Sequence, residues 1–362
     1  MSDSIRLAQK GDAEDIVGLF LNEYDRYFGK FSDPDKMAES IEHMHRGLQT
    51  GDPWAGVMVL DAPDDLEWSQ NGIEGVSAVK QNRPGWSELS STVIDPEARS
   101  QEVDGVPVYQ LLHQARESFD EEVYPDEKRY TQTVSFTGKS QKGSMEAGFV
   151  PVGYSDGQFF EAHNGEGRIS TVYMIDSGND YTGDGEVYTP DNEAQAVEQV
   201  LENLDEAGVD IERTLENDEE RPEEVAVKEQ NAETIGQARL TVIPDKQDGY
   251  DTWSYDRVLD WVDQMQSRED IDWTGLEIDA GNPVAASIKS DTGLDFERYQ
   301  PDGIRTEDGW RDIIGLQGRP SGTRERYFVD DAMSVIEAAG IPHERYGSRE
   351  YSGTEVHRAE IS

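Results

Sequence analysis

Apolar residues along this chain change period repeatedly, from the two-residue alternation of a half-buried strand to the 3.6-residue spacing of an amphipathic helix, and few architectures accommodate that switching. The segment IRLAQ reads as a first strand, and GDAEDIVGLFLNEYDRYFG follows with Ala13, Ile16, Val17, Leu19, Phe20, Tyr24 and Tyr27 at helical spacing. WAGVMVLDAP, GVSAVKQ and WSELSSTVIDP are short apolar runs bounded by Asp, Asn, Gly and Pro, which predicts a three-stranded meander. From VPVYQLLHQARESF the helical period returns, with Pro107 suited to a first-turn position and Asp104 available as a cap. RYTQTVSF, KSQKGSMEAG, FVPVGYSD and STVYMID then read as strand, helix, strand, strand. The expected fold class is α/β (α+β): twisted mixed sheets flanked by helices.

A Gly-, Asp- and Asn-rich stretch, GNDYTGDGEVYTPD, marks a module boundary near residue 180. A second series follows, with helices over DNEAQAVEQVLENLDEAG, YDRVLDWVDQMQSRED and NPVAASIKSDTG and strands over EEVAVKEQ, QARLTVIPD, TGLEIDAG, LDFERYQPDG and GWRDIIGLQG. Its order resembles the second half of the first series. The expected division is 1–180, 181–320, and a C-terminal helix, YFVDDAMSVIEAAG, with a polar tail in 321–362.

Charge narrows the setting. Against 32 Lys and Arg stand 77 Asp and Glu, for a formal net charge of -45. Such a surface repels itself in dilute buffer, but molar salt shortens the screening length to about 3 Å. A halophilic source and a salt-loaded cytoplasm are therefore expected. The acidic residues run along the whole chain, 35% of residues are hydrophobic and 9% aromatic, which argues against a disordered acidic chain. No basic patch offers itself to nucleic acid. No apolar run approaches a membrane span, and Cys is absent, which excludes disulfides and thiolate chemistry. Gly-x-Ser-x-Gly and His-Glu-x-x-His patterns are missing. His43 and His45 point to different faces of a helix, so no metal site is expected.

Three segments carry a resemblance to a known family. They are IRLAQKGDAEDIVGLF, then STVIDPEAR with GVPVYQLLHQA after a loop, then KSQKGSMEAGFVPVGY. In this order and spacing they resemble the GNAT superfamily of N-acetyltransferases, over about residues 4–160. NPVAASIKSDTGLDFERYQPDG is similar to the third segment again, so the chain looks like two such modules in tandem, the second reduced and without a pyrophosphate loop.

The resemblance implies acetyl-CoA as cosubstrate. Thr92, Val93 and Ile94 would pair with its pantetheine arm, while Arg99, Gln101, Val103, Gly105 and Val106 would surround the diphosphate. The loop ARSQEVDGVP departs from the family: it is longer, has Gly105 alone, and places Glu102 and Asp104 beside the anion. Glu88 is the candidate base, with a solvent-facing strand residue as the alternative. Tyr154, or water, would supply the acid, because Ser144 stands where many members have Tyr. Ser140 is a coenzyme contact or a helix cap.

The function this implies is acyl-CoA-dependent N-acyl transfer to a small-molecule amine by a monomer or homodimer. The alternative is a non-catalytic tandem protein that binds a metabolite or a protein partner.

Overall fold

The computed structural model describes residues 4–23, 33–61, 72–83, 85–134, 138–159, 169–182, 185–232, 237–271, 273–318, 324–339, 343–351 and 354–361. The chain divides into two compact units, the first formed by Met1–Tyr130 and the second by Thr131–Phe160 with Gly167–Ser362. This division by compactness cuts across the 1–180 module read from element order. Tyr24 and Tyr27, assigned to the first helix from sequence, lie outside the described residues.

In the first unit, β1 (Ile5–Leu7) leads into α1 (Ala13–Glu23) and α2 (Pro34–Thr50). The sequence order omitted α2. Its signals are nevertheless plain: Asp33 caps the amides of Asp35 and Lys36, Pro34 opens the first turn, Gly51 closes the helix at φ 75°, and Met37, Ile41 and Met44 form the buried stripe. The expected meander follows as β2 (Ala55–Asp61), β3 (Ile73–Arg83) and β4 (Trp86–Ile94), all antiparallel. Val76, Ala78, Val79 and Lys80 of β3 line a cavity with α1 and α2. A Cβ on Gly75, by contrast, would meet Leu112 from the helix on the other face.

Between β4 and that helix stands a hairpin that the sequence reading missed, β5 (Glu102–Val103) and β6 (Val106–Pro107). Asp104 at φ 54° and Gly105 at φ 78° form its two-residue turn, the left-handed geometry that suits an Asp-Gly hairpin. Asp104 is therefore a turn residue and not the cap expected of it. α3 (Val108–Val123) starts after Pro107, with no side-chain cap. β7 (Lys128–Val134) carries the chain onward, its first three residues pairing parallel with β4.

The second unit continues with α4 (Gly138–Glu146), β8 (Phe149–Phe159), β9 (Ile169–Asp176), β10 (Gly185–Tyr188), α5 (Asp191–Glu206), β11 (Arg213–Glu216), β12 (Glu224–Ala232), β13 (Gln237–Ile243), β14 (Asp251–Ser254), α6 (Tyr255–Ser267), β15 (Trp273–Asp279), α7 (Val284–Thr292), β16 (Asp295–Thr306) and β17 (Gly309–Gly318). Its strands are ordered β9-β8-β16-β17-β15-β13-β12-β14. β13 and β15 run parallel with α6 between them in sequence, as β4 and β7 do with α3 between them in the first unit. β15 is buried at every position, as a central strand covered on both faces should be. β10, inside the stretch read as a module boundary, forms a separate parallel pair with β11, which lies in a segment left unassigned from sequence.

The C-terminal stretch corrects an expectation. The helix is shorter than YFVDDAMSVIEAAG, being α8 (Asp330–Ala338), and the preceding residues form β18 (Arg324–Val329). The polar tail is not irregular: β19 (His343–Tyr351) and β20 (Thr354–Ile361) pair antiparallel with each other, and β20 pairs with β18. Among the described residues no helix is long and apolar enough to cross a membrane.

Candidate active site

β4 positions the first unit's polar cluster. Glu88 is 6% exposed, so it is not the solvent-facing strand residue of the alternative reading. Tyr130 Oη donates to Glu88 Oε2 at 2.8 Å, and Lys80 Nζ lies 3.2 Å from the same oxygen. Pairing explains both contacts. Lys80 is opposite Glu88 in the β3–β4 register, and Tyr130 is opposite Glu88 in the β4–β7 register. The Tyr130 ring stands edge-on to Trp86 at 6.0 Å, and the Arg83 guanidinium is 5.5 Å from both rings. A carboxylate so fixed can accept a proton or an ammonium without reorganising.

Register on β3–β4 shifts between Val76 and Ala78: two β4 residues, Ser91 and Thr92, stand where β3 has Ser77 alone, which makes a bulge there. Parallel pairing with β7 ends at Glu88 and Tyr130, so Ser90–Ile94 lie outside that register. Thr92 is exposed, Val93 buried and Ile94 half-buried. Thr92 Oγ1 is 2.8 Å from Ser77 Oγ and accepts from Arg116 Nη1 at 3.3 Å. Arg116 is 5% exposed, and burial brings its guanidinium down to about 10, so it remains charged at neutral pH. Among the described residues Arg116 has no ion pair, and its Nε has no hydrogen-bond partner.

The loop expected to hold a diphosphate is folded on itself. Val103 pairs with Val106, Glu102 with Pro107, and the Val108 amide donates to the Gln101 carbonyl at 3.0 Å. Arg99 is exposed and its Nε donates to the Ile94 carbonyl at 3.0 Å. Glu102, Asp104 and Gly105 are all exposed. Both carboxylates thus face solvent, where salt screens them.

Tyr154 and Ser140 belong to the second unit. Tyr154, on β8, is 1% exposed, and its carbonyl accepts from Gln317 Nε2 at 2.9 Å. Ser140 is half-buried and stands third in α4, inside the first turn and not at the cap.

Sequence reasoning missed Lys80, Tyr130 and Arg116. Lys80 could have been found, because GVSAVKQ alternates so that a cation follows Val76 and Ala78 onto one face. His45 Nε2 is 2.8 Å from the Ala8 carbonyl and His43 lies against Trp54 at 5.5 Å; among the described residues no His, Asp or Glu group is arranged to hold a metal.

No family model matches the chain, and no curated protein matches it. Among solved structures it is similar to a variant of spermidine N-acetyltransferase SpeG from Vibrio cholerae, at 17% identity over 48% of this chain and 93% of that one, TM-score 0.35. It is also similar to ribosomal-protein-alanine N-acetyltransferase from Brucella melitensis, at 16% identity over 47% of this chain and 97% of that one, TM-score 0.36.

Proposed function

We propose that the chain is an acyl-CoA-dependent N-acyltransferase, with acetyl-CoA as donor and a small molecule bearing an amino group as acceptor. The observation that carries the reading is Glu88, a buried carboxylate held by Tyr130 and Lys80 on the strand whose next residues leave the parallel register. A strand that parts from its neighbour exposes amides and carbonyls to which a pantetheine arm can pair, and Thr92, Val93 and Ile94 lie in that stretch. Arg99, Gln101, Val103, Gly105, Val106 and the start of α3 would lie along the diphosphate. Glu88 would take the proton of the attacking amine, and water would supply one to the departing thiolate. The recurrence of a helix-bridged parallel pair supports two GNAT modules in tandem, 1–180 and 181–320, followed by 321–362. The net charge of -45 supports a halophilic source and a cytoplasmic setting.

One observation favours a second reading, a non-catalytic tandem protein that binds a metabolite or partner. The loop between Gln101 and Val108 pairs on itself and offers no cradle of amides.

Calorimetric titration of acetyl-CoA at about 2–3 M KCl separates the two, since surface repulsion is screened there. Acetyl-pantetheine is the control that lacks the diphosphate. Saturable binding that needs the diphosphate is expected; a folded protein that does not bind sinks the transferase reading. The double variant Glu102→Gln with Asp104→Asn should bind more tightly in low salt than the parent.

A further inference from the structure

α3 is seated on the first unit's sheet at two points. A Cβ on Gly75 would stand 2.8 Å from Leu112 and one on Gly56 would stand 2.3 Å from Phe119, so the two glycines let the helix approach there. Leu112, Arg116 and Phe119 share one helix face, which holds Arg116 between the two contacts, 5% exposed. Ser77 follows Gly75 on the same face of β3 and is fully buried.

Donors converge here without acceptors. Thr92 Oγ1 accepts from Arg116 Nη1 at 3.3 Å and lies 2.8 Å from Ser77 Oγ. The two hydroxyls carry one proton each, and their mutual bond uses one of them. Among the described residues nothing accepts the other hydroxyl proton or the proton on Arg116 Nε. The carboxylates that follow on α3 are engaged elsewhere, Glu117 with His113 at 3.2 Å and Asp120 with Arg129 at 3.1 Å. They act on Arg116 only as charges at longer range. A buried guanidinium in that state costs stability, which a bound anion would recover. Solvent meets the group at Thr92, which is exposed at the β4 bulge while Arg116 and Ser77 are buried.

We propose that Arg116, Ser77 and Thr92 form a binding site for a monovalent inorganic anion, chloride, entered at the β4 bulge. Chloride accepts hydrogen bonds from any direction and carries the single charge that one guanidinium balances. Sulfate or phosphate would bring a second negative charge for which the group has no cation. In dilute buffer the acidic surface opposes an anion's approach; in molar salt, with a screening length of about 3 Å, it does not. The bound ion ties α3 to the bulged stretch of β4 through both hydroxyls. Nothing in this inference depends on acyl transfer.

The test is the chloride NMR line width of a solution of the full chain, at a fixed total of about 2–3 M potassium salt in which chloride replaces fluoride. The protein should broaden the line, and the excess width should saturate with chloride and be removed by bromide. Arg116→Met should lose the excess. If that variant does not fold, Thr92→Val takes its place: it keeps the side-chain shape at an exposed position and should weaken chloride several-fold. Equal broadening by the parent and the folded variant would overturn the proposal, as would a parent that broadens nothing. Acetate displacing chloride at lower concentration than bromide does would also overturn it and make the group a carboxylate site.

Discussion

Gly153 on β8 faces Arg298 on β16 so closely that a side chain there would overlap Arg298 Cβ, Arg298 Cα and the Glu297 carbonyl oxygen. The backbone approach fixes where Arg298 lies. From that position its guanidinium pairs with Glu277 and Glu297 and sits 4.3 Å from the centre of the Tyr173 ring. Arg239 completes the cluster, 2.8 Å from Glu277 and 3.2 Å from Glu297.

Gly153→Val should destabilise the second unit by about 1–3 kcal/mol or more, since neither the Arg298 backbone nor the Glu297 carbonyl can move aside as a flexible side chain would. Urea unfolding at fixed molar KCl reads the loss. A midpoint unchanged from the parent would mean that β8 and β16 do not approach in this way.

Arg298→Met should cost about 3–5 kcal/mol, because two buried carboxylates, Glu277 and Glu297, each lose a guanidinium partner. Added salt should not rescue it, since ions do not reach a buried group. The check is the unfolding midpoint of parent and variant at two KCl concentrations: the gap between them should stay constant.

Asp279, 2% exposed at the end of β15, has its carboxyl raised to about 6 by burial, against the stabilising Gly281 amide at 2.9 Å. The folded state therefore holds the proton more tightly than the unfolded chain. Stability from this group is full below the ordinary carboxylate value and is lost as pH rises through about 6. The separation corresponds to about 3 kcal/mol as an upper bound. Melting between pH 4 and pH 8 should fall less in Asp279→Asn than in the parent; equal slopes would exclude Asp279 as a contributor.

Glu88→Gln should lower kcat by roughly 10²–10⁴ if the carboxylate is the base. Tyr130→Phe should have a smaller effect, because it removes the hydroxyl contact to Glu88 Oε2 and leaves Lys80 in place. Single-turnover assays with a fixed amine measure both, and a full-rate Glu88→Gln variant would end the assignment.

The salt dependence follows from charge. With -45 spread over the surface, the melting temperature should climb steeply from about 0.1 M KCl and more slowly above about 1 M, where the screening length has already fallen to about 3 Å. A flat profile would remove the halophilic reading.

α2 was passed over, but a long, capped apolar stripe like its own made other helices legible in the sequence. α6 is an example: Ser254 caps it, and Tyr255, Val258, Trp261, Val262 and Met265 are its buried face. β10 and β11 were not, because four-residue strands that pair across 28 residues leave no local period. β19 and β20 were hidden by their polar sequences, HERYGSREY and TEVHRAEI. The site divides along similar lines. Thr92, Val93 and Ile94 lie on β4 as expected, but the environment of Glu88 depends on Lys80 and Tyr130, which only sheet pairing brings to it. The Asp104–Gly105 hairpin was written in the sequence as a turn signal and was read as part of a phosphate loop.

The strand order β9-β8-β16-β17 reads the same from either end, with every neighbour antiparallel. Two copies of one ancestral subunit, meeting by their outer strands about a twofold axis, would make this pattern as a homodimer. On the tandem-module reading, fusion into one polypeptide would turn that dimer's concentration-dependent encounter into an intramolecular one and cover the seam. It would also end the obligation of the halves to be identical. One half could keep a ligand pocket while its twin drifted toward a purely supporting role, a divergence closed to a symmetric dimer encoded by a single copy.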